Sequence, residues 1–389
     1  MKRTIAVVTS SRADYSHLYW PLKDLAAHPD VDLKLIVMAA HLSPQFGNTV
    51  SEIERDGFAI ASRIECLLNS DTDAGMAKTL GLAVLGLTDA LAQMRPDLLL
   101  LIADRYEMLA PASVALTLRI PVAHIEGGEI SEGAIDDAVR NAITKMAHIH
   151  FTSTEAARNR VIRMDEEPWR VHRAGALSLD HLTRSQLRTQ AELEQELHID
   201  LNQPTTIVAY HPVTLLHDTT EEADALFAAL AQIDGRILFC YPNADAGSHN
   251  LMQRTRDFVK RHANARVFVN LDAVTYWSLL RHADLLLGNS SSGIMEAASF
   301  ALPVVNVGLR QRGRERARNV LDAEPSTTSI LEKVATARSA ASRESLRGMT
   351  NPYGDGHAAE RIVRVLTTVP LEGILRKRAR AQTEEAARP

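Results

Sequence analysis

At 389 residues the chain is longer than one hydrophobic core usually supports, so two domains are expected. It is 46% apolar and 23% charged, with a formal net charge of -5 and no long basic block, which is the composition of an ordinary globular protein and not of one that binds nucleic acid. The apolar run after Met1-Lys2-Arg3 is too short for a signal peptide, and no apolar stretch reaches the roughly 18 to 20 residues of a membrane span, so no membrane partner and a cytoplasmic location are expected.

In chain order, residues 4–8 form a β-branched strand ended by Thr9-Ser10-Ser11-Arg12-Ala13-Asp14, and residues 18–27 read as a helix. A strand over 33–38 follows, then a helix and short strand within 50–64, and a long helical pattern over 73–94 that Pro96 ends. Strand 98–102, helix 108–118, strand 121–125, helix 136–147 and strand 149–152 continue the alternation. Near-continuous apolar strands alternating with helices specify a parallel sheet covered on both faces. Residues 178–203 are polar, rich in Leu, Glu and Gln, and end at Pro204, as an interdomain connection would. A second series then runs through strands 206–210, 236–241, 266–269, 284–287 and 304–307, with helices 221–233, 251–262, 274–282 and 292–301 between them. The expected division is a first domain over 1–177, a second over 178–355, a helical segment over 356–372 returning to the first, and a frayed tail over 373–389. Cys66 and Cys240 lie far apart in sequence and read as buried free thiols.

Chemistry concentrates where strands end. Strand 98–102 runs into Asp104-Arg105-Tyr106-Glu107, strand 121–125 into His124-Ile125-Glu126-Gly127-Gly128-Glu129, and the next helix opens at Asp136-Asp137. In an open parallel sheet that edge gathers the loops and helix starts that hold ligands. Further on, Gly288-Asn289-Ser290-Ser291-Ser292-Gly293 joins a strand to a helix through small hydroxyl residues, a place for a phosphate or diphosphate, with Glu296 one turn on to accept from ribose hydroxyls. The plainer reading is that the serines cap the helix. No Gly-x-x-x-x-Gly-Lys-Ser/Thr loop is present, nor a Gly-x-Gly-x-x-Gly after the first strand, which argues against ATPase and dehydrogenase chemistry. No His/Cys spacing suggests zinc, and neither a metal nor a cofactor is expected.

The motifs occur in one order: Ser11-Arg12-Ala13-Asp14-Tyr15, Asp104-Arg105-Tyr106-Glu107, His124-Ile125-Glu126-Gly127-Gly128-Glu129, Tyr241-Pro242-Asn243, and Gly288 to Gly293 with Arg310-Gln311-x-Gly-Arg314. Together they resemble the UDP-N-acetylglucosamine 2-epimerase family, its hydrolysing branch in particular, over roughly residues 4 to 369. Ala103 stands where the family usually shows glycine, which should alter loop stiffness and not chemistry.

The resemblance implies an α/β GT-B fold, two doubly wound Rossmann-like domains facing across a cleft, nucleotide held by the second and sugar by the first. It implies removal of the proton from sugar carbon 2, loss of UDP from carbon 1 to leave a glycal, and hydration to N-acetylmannosamine. Acid/base roles would fall to Asp104, Glu126 and Asp136, with His211 contacting the leaving diphosphate or assisting proton transfer. Substrate and nucleotide contacts would be Arg12, Asp14, Arg105, His124, Asp180, Asn243, Ser290, Ser291, Gly293, Glu296, Arg310 and Arg314. The implied partner is a UDP-sugar, in a homodimer or homotetramer.

Each position has a bland competitor. Asp136 and Arg140, spaced i to i+4, could be a surface helix pair; His124 and Glu126, on one face of a strand, could satisfy each other; Arg12 and Asp14 could be a solvated loop pair. The same chemistry on UDP-diacetylbacillosamine or GDP-N-acetylglucosamine fits the residues too. A GT-B glycosyltransferase would share Ser290 to Glu296 but has no need of three carboxylates. His17 and His41 carry no motif.

Overall fold

A computed structural model describes residues 2–70, 72–130, 135–211, 220–241, 249–269 and 271–378. The chain divides into two compact units, one of residues 1–129, 135–177 and 357–389, the other of 130–134 and 178–356.

Among its described residues the first unit is built on a seven-stranded parallel sheet: β1 (Arg3–Thr9), β2 (Val31–Met38), β3 (Ile60–Ile64), β4 (Leu98–Ile102), β5 (Val122–Ile125), β6 (Ile149–Thr152) and β7 (Val171–Arg173). Their order is β3-β2-β1-β4-β5-β6-β7, so the winding reverses between β1 and β4. Alternate side chains supply two cores. Ile5, Val7, Leu98, Leu100 and Ile102 pack under the helices Arg12–Ala27 and Ala358–Thr368, whereas Ala6, Val8, Leu99 and Leu101 pack under Asp73–Met94 and Leu109–Leu118. Burial on both faces is why β4 can read Leu-Leu-Leu-Leu-Ile without a polar break.

The second unit has a six-stranded parallel sheet of β8 (Thr205–Ala209), β9 (Arg236–Tyr241), β10 (Ala265–Val269), β11 (Leu285–Gly288), β12 (Val304–Val307) and β13 (Val320–Ala323), again among described residues. Its order, β10-β9-β8-β11-β12-β13, reverses between β8 and β11. Cys240 lies in one of its cores with Ile207 and Leu286, and Cys66 is buried in the first unit, both as free thiols.

Several expectations are corrected. Residues 178–203, read as the interdomain connection, carry the helices Ser178–Arg184 and Gln190–Leu197 and add more than a connection, since Leu193, Ile199 and Leu201 enter the second unit's core. The helix expected over 292–301 is two short turns, Ser292–Met295 and a 3-10 turn Ala297–Phe300. Strands β7 and β13 and the helices Glu155–Arg163, Thr327–Arg338 and Ala340–Ser345 were not expected from the sequence. The helix Asp73–Met94 is, by length and composition alone, apolar enough to cross a membrane, contrary to the expectation. Its buried line of Gly75, Thr79, Ala83, Leu87 and Leu91 instead covers one face of the sheet.

Candidate active site

In the first unit, the C-terminal ends of β1, β4 and β5 lie side by side and bear most of the unit's predicted site residues. Two of those ends turn through left-handed backbone on residues other than glycine, Ala103 at φ 61° and Glu126 at φ 66°. Such geometry costs on the order of 1 to 3 kcal/mol and persists where surrounding bonds impose it. Here the amide of Ala103 donates to Ile125 O at 3.0 Å and that of Glu126 to Phe151 O at 2.8 Å, so each turn is an extension of the neighbouring ladder. The family's usual glycine before Asp104 suits this φ; the alanine holds the same turn under strain.

Asp104 emerges from the first turn and pairs with Arg140, which is 3% exposed, donates to Glu129 O at 2.9 Å and stands 3.6 Å from Asp137. Arg140 is therefore a buried clamp on the strand ends and not the outer member of a surface helix pair with Asp136. Asp136 itself is half-buried in the first turn of the Ile135–Met146 helix.

His124 is fully buried, and its Nε2–H donates to the carbonyl of Ala103 at 2.8 Å. That fixes the tautomer, so Nδ1 accepts from the Thr144 hydroxyl at 3.2 Å. Burial pushes its pKa down to about 4, and the ring is neutral. The expected substrate contact at His124 is thus corrected to a positioning role: the imidazole holds the strained turn before Asp104. It does not pair with Glu126, whose Oε1 lies 3.1 Å from Nδ1 of His17.

Around the β1 end, Asp14 is buried and accepts from the Ser10 amide at 3.2 Å and the Ser10 hydroxyl at 2.6 Å, while Arg12 turns to Glu52 at 3.3 Å. Arg12 and Asp14 are therefore no loop pair. Arg105 pairs with buried Glu107 at 3.0 Å, and Asp14 and Glu107 together strengthen its hold on its proton. Buried His41 bridges Thr9 (2.9 Å) and Thr49 (2.7 Å), its pKa lowered to about 4 by burial and by Arg105. His17 and His41, passed over in the sequence, thus belong to this edge; only their contacts reveal them.

In the second unit the winding reversal between β8 and β11 carries the other cluster. Asn289, fully buried, brackets the backbone of His211: its Oδ1 accepts from the His211 amide at 2.7 Å and its Nδ2 donates to the His211 carbonyl at 2.8 Å. Burial first, and then the cation of Arg310, lower the His211 pKa to about 4, so its imidazole is neutral. Arg310 and Gln311 both donate to the Asn289 carbonyl, at 3.0 and 2.9 Å. Asn289 and Gln311, quoted in the motifs but given no role, are the struts of this loop.

Ser290 accepts from the Ser292 amide at 3.3 Å and lies 3.0 Å from the Ser292 hydroxyl, which meets Tyr276 OH at 2.7 Å. Ser291 makes no capping bond, so helix capping does not account for it, and Ser290 and Ser291 are both half-exposed, while the amides of Gly293 and Ile294 are taken up by the Ser290 and Ser291 carbonyls at 3.1 and 2.9 Å. Glu296 is buried at the end of the same turn. A Cβ on Gly293 would come 2.9 Å from Val304 Cγ1, so this glycine lets the turn pack closely on β12, and its amide donates to Ser290 O at 3.1 Å. Asp180, fully enclosed in the first turn of the Ser178–Arg184 helix, is likewise no exposed contact. Arg314 donates to Ile130 O at 3.3 Å. Asn243 lies outside the described residues.

The edge of the first unit thus offers carboxylates backed by buried arginine and neutral histidine, and the second unit offers serine hydroxyls, Arg310 and a neutral imidazole. The first set can exchange protons; the second can hold an anion. A family model described as UDP-N-acetylglucosamine 2-epimerase matches residues 23–367. The chain is 38% identical over 372 residues, covering 95% of it and 97% of the relative, to the UDP-N,N'-diacetylbacillosamine 2-epimerase (hydrolyzing) of Legionella pneumophila. It is 32% identical over 340 residues, 87% of the chain and 88% of the relative, to the UDP-N-acetylglucosamine 2-epimerase of Neisseria meningitidis. The solved UDP-GlcNAc 2-epimerase of Methanocaldococcus jannaschii, in complex with UDP-GlcNAc and UDP, superposes with a TM-score of 0.74 at 19% identity, covering 94% of this chain and 99% of that one, which identifies the fold as the two-domain GT-B type. By its motifs, the family model's match over its residues 23–367 and its full-length relatives, this chain belongs to the UDP-N-acetylglucosamine 2-epimerase family.

Proposed function

We propose that the protein is a hydrolysing 2-epimerase of a UDP-linked 2-acetamido sugar. The observation that carries the reading is the convergence of Asp104, Glu126 and Asp136 on one sheet edge, Asp104 held by a buried arginine. A transferase acting at carbon 1 has no use for three such groups. In this reading a carboxylate takes the proton from carbon 2 as UDP leaves carbon 1, giving the 2-acetamidoglycal. Water then adds at carbon 1, with a proton delivered to the other face of carbon 2. Arg310, Ser290, Ser291 and neutral His211 receive the diphosphate; the imidazole contributes hydrogen bonds and not charge at neutral pH.

Two sugars compete for the role of substrate. The sequence placed UDP-N-acetylglucosamine first, with N-acetylmannosamine as product. The 38% identical, full-length relative named for UDP-N,N'-diacetylbacillosamine, against 32% for one named for UDP-N-acetylglucosamine, favours the sugar that bears a second acetamido group.

The test is incubation with both sugar nucleotides in deuterium oxide, following UDP release and carbon 2 by NMR. The expected product carries deuterium at carbon 2 with inverted configuration. Asp104→Asn, Glu126→Gln and Asp136→Asn should each cut turnover by about 100-fold or more. A product that keeps its hydrogen and configuration at carbon 2 sinks the epimerase reading and leaves a glycosyltransferase or plain hydrolase. Activity lost in chelator and restored by magnesium would overturn the assignment of the diphosphate to arginine, serine and histidine groups.

A further inference from the structure

An acid/base carboxylate must exchange its proton with water between turnovers, and the walls around Glu126 limit how it can do so. Its side chain is 16% exposed, its backbone is fixed at φ 66° with the amide tied to Phe151, and beneath it His124 is buried and neutral with both nitrogens engaged. Beside it stands His17. The Arg12–Ala27 helix, capped by Ser11, sends Asp14 inward to Ser10 and, three residues on along the same face, sets His17 Nδ1 3.1 Å from Glu126 Oε1. The imidazole is 32% exposed, twice as open as the carboxylate it touches.

We propose that His17 is a proton relay between Glu126 and solvent, a role that rests on Glu126 being one of the acid/base groups of the epimerase reaction. Nδ1 accepts the proton that Glu126 has gained, and the imidazolium gives up its Nε2 proton to water. The carboxylate is restored, one proton has left, and the ring is neutral in its other tautomer. Reprotonation of Glu126 runs the same two transfers backwards. Among the ionisable side chains that can do this, imidazole alone has an ordinary pKa near neutrality and two nitrogens for the two sides of the transfer. His17 is thus a positioning and relay residue that acts through Glu126 and need not touch the sugar.

The test uses the full chain with whichever of the two sugar nucleotides the wild type epimerises. His17→Ala should lower kcat by about 10-fold or more with KM little changed, within the range that a proton-transfer partner supplies. Added imidazole, tens of millimolar, should restore a substantial part of that loss. His17→Asn keeps a hydrogen-bonding group beside Glu126 but cannot relay, and should be as slow as His17→Ala. In a Glu126→Gln background, His17→Ala should cause no further loss. Full activity in His17→Asn, absence of imidazole rescue, or equal losses in the two backgrounds would overturn the relay. Should His17→Ala fail to melt like the wild type, His17→Asn and its Glu126→Gln double variant decide the matter. A wild type that exchanges carbon 2 while all His17 variants keep full turnover removes the relay alone; a wild type that never exchanges carbon 2 removes the epimerase reading itself.

Discussion

Gly288 is the residue on which the Asn289 to Gly293 loop of the second unit depends. It ends β11 at φ 146°, and a Cβ there would sit 2.6 Å from the Ala209 carbonyl carbon, inside the approach that any side chain permits. That close passage lets the amides of both Asn289 and Ser290 reach the Ala209 carbonyl, at 3.1 Å each, and so delivers Asn289 to His211. Gly288→Ala should therefore do more than strain one residue by about 1 to 3 kcal/mol. It should shift the loop and weaken UDP binding by about 10-fold or more while the first unit keeps its melting behaviour. Calorimetry with UDP checks this; unchanged affinity would separate the loop from the nucleotide.

At the scale of elements, the Ala358–Thr368 helix shows how a distant segment completes a core. Its Ile362 and Leu366 are fully buried against the Arg12–Ala27 helix. Arg3 of β1 donates to its carbonyls at Leu366 (2.5 Å) and Val369 (3.0 Å), supplying a cation where the helix dipole is negative. Farther on, buried Arg170 holds the carbonyls of Ile374 and Arg376, both at 2.9 Å. Ile362→Ala should cost about 2 to 5 kcal/mol, the range for a core truncation of this kind. Urea denaturation measures it, and a loss under 1 kcal/mol would mean the helix is dispensable to the first unit. The helix itself was legible in the sequence, as was every strand with a long apolar run, because burial on both faces leaves an unbroken signature. Strands β7 and β13 were not: Val-His-Arg and Val-Leu-Asp-Ala lie at sheet edges and need little apolar surface. The same logic divides the site. Asp104, Glu126 and the Ser290 loop stood in recognisable motifs, whereas His17 lies 109 residues from its partner Glu126 and only the folded sheet brings them together. Burial is what the sequence could not grade, so His124 and Asp180 looked like exposed contacts and lie enclosed, His124 with both ring nitrogens bonded within the protein.

For the molecule as a whole, the distribution of buried neutral histidines sets its response to acid. His41, His124 and His148, all in the first unit, and His211 in the second have pKa values lowered to about 4, in each case chiefly by burial. Above the ordinary histidine value of about 6.5 both folded and unfolded chains hold these rings neutral, and the full stability is present. As pH falls from there toward about 4, the unfolded chain takes up protons that the folded chain refuses, so stability declines. Each ring contributes a loss of up to about 1.4 kcal/mol per pH unit across that window. Glu166, in the first unit, adds a second and lower window. His150, Lys145 and Lys377 hold its pKa down at about 2, so its contribution is complete above the ordinary carboxylate range and drains away as pH drops below it. The first unit should therefore fail before the second on acidification. Trp277 lies in the second unit, and Trp20 and Trp169 lie in the first, so their fluorescence can follow the units separately. Urea midpoints taken with Trp277 alone, after Trp20→Phe and Trp169→Phe, should fall less between pH 7 and pH 5 than midpoints taken in a Trp277→Phe variant. Equal falls, or an earlier collapse at Trp277, would show that acid sensitivity does not follow the buried imidazoles.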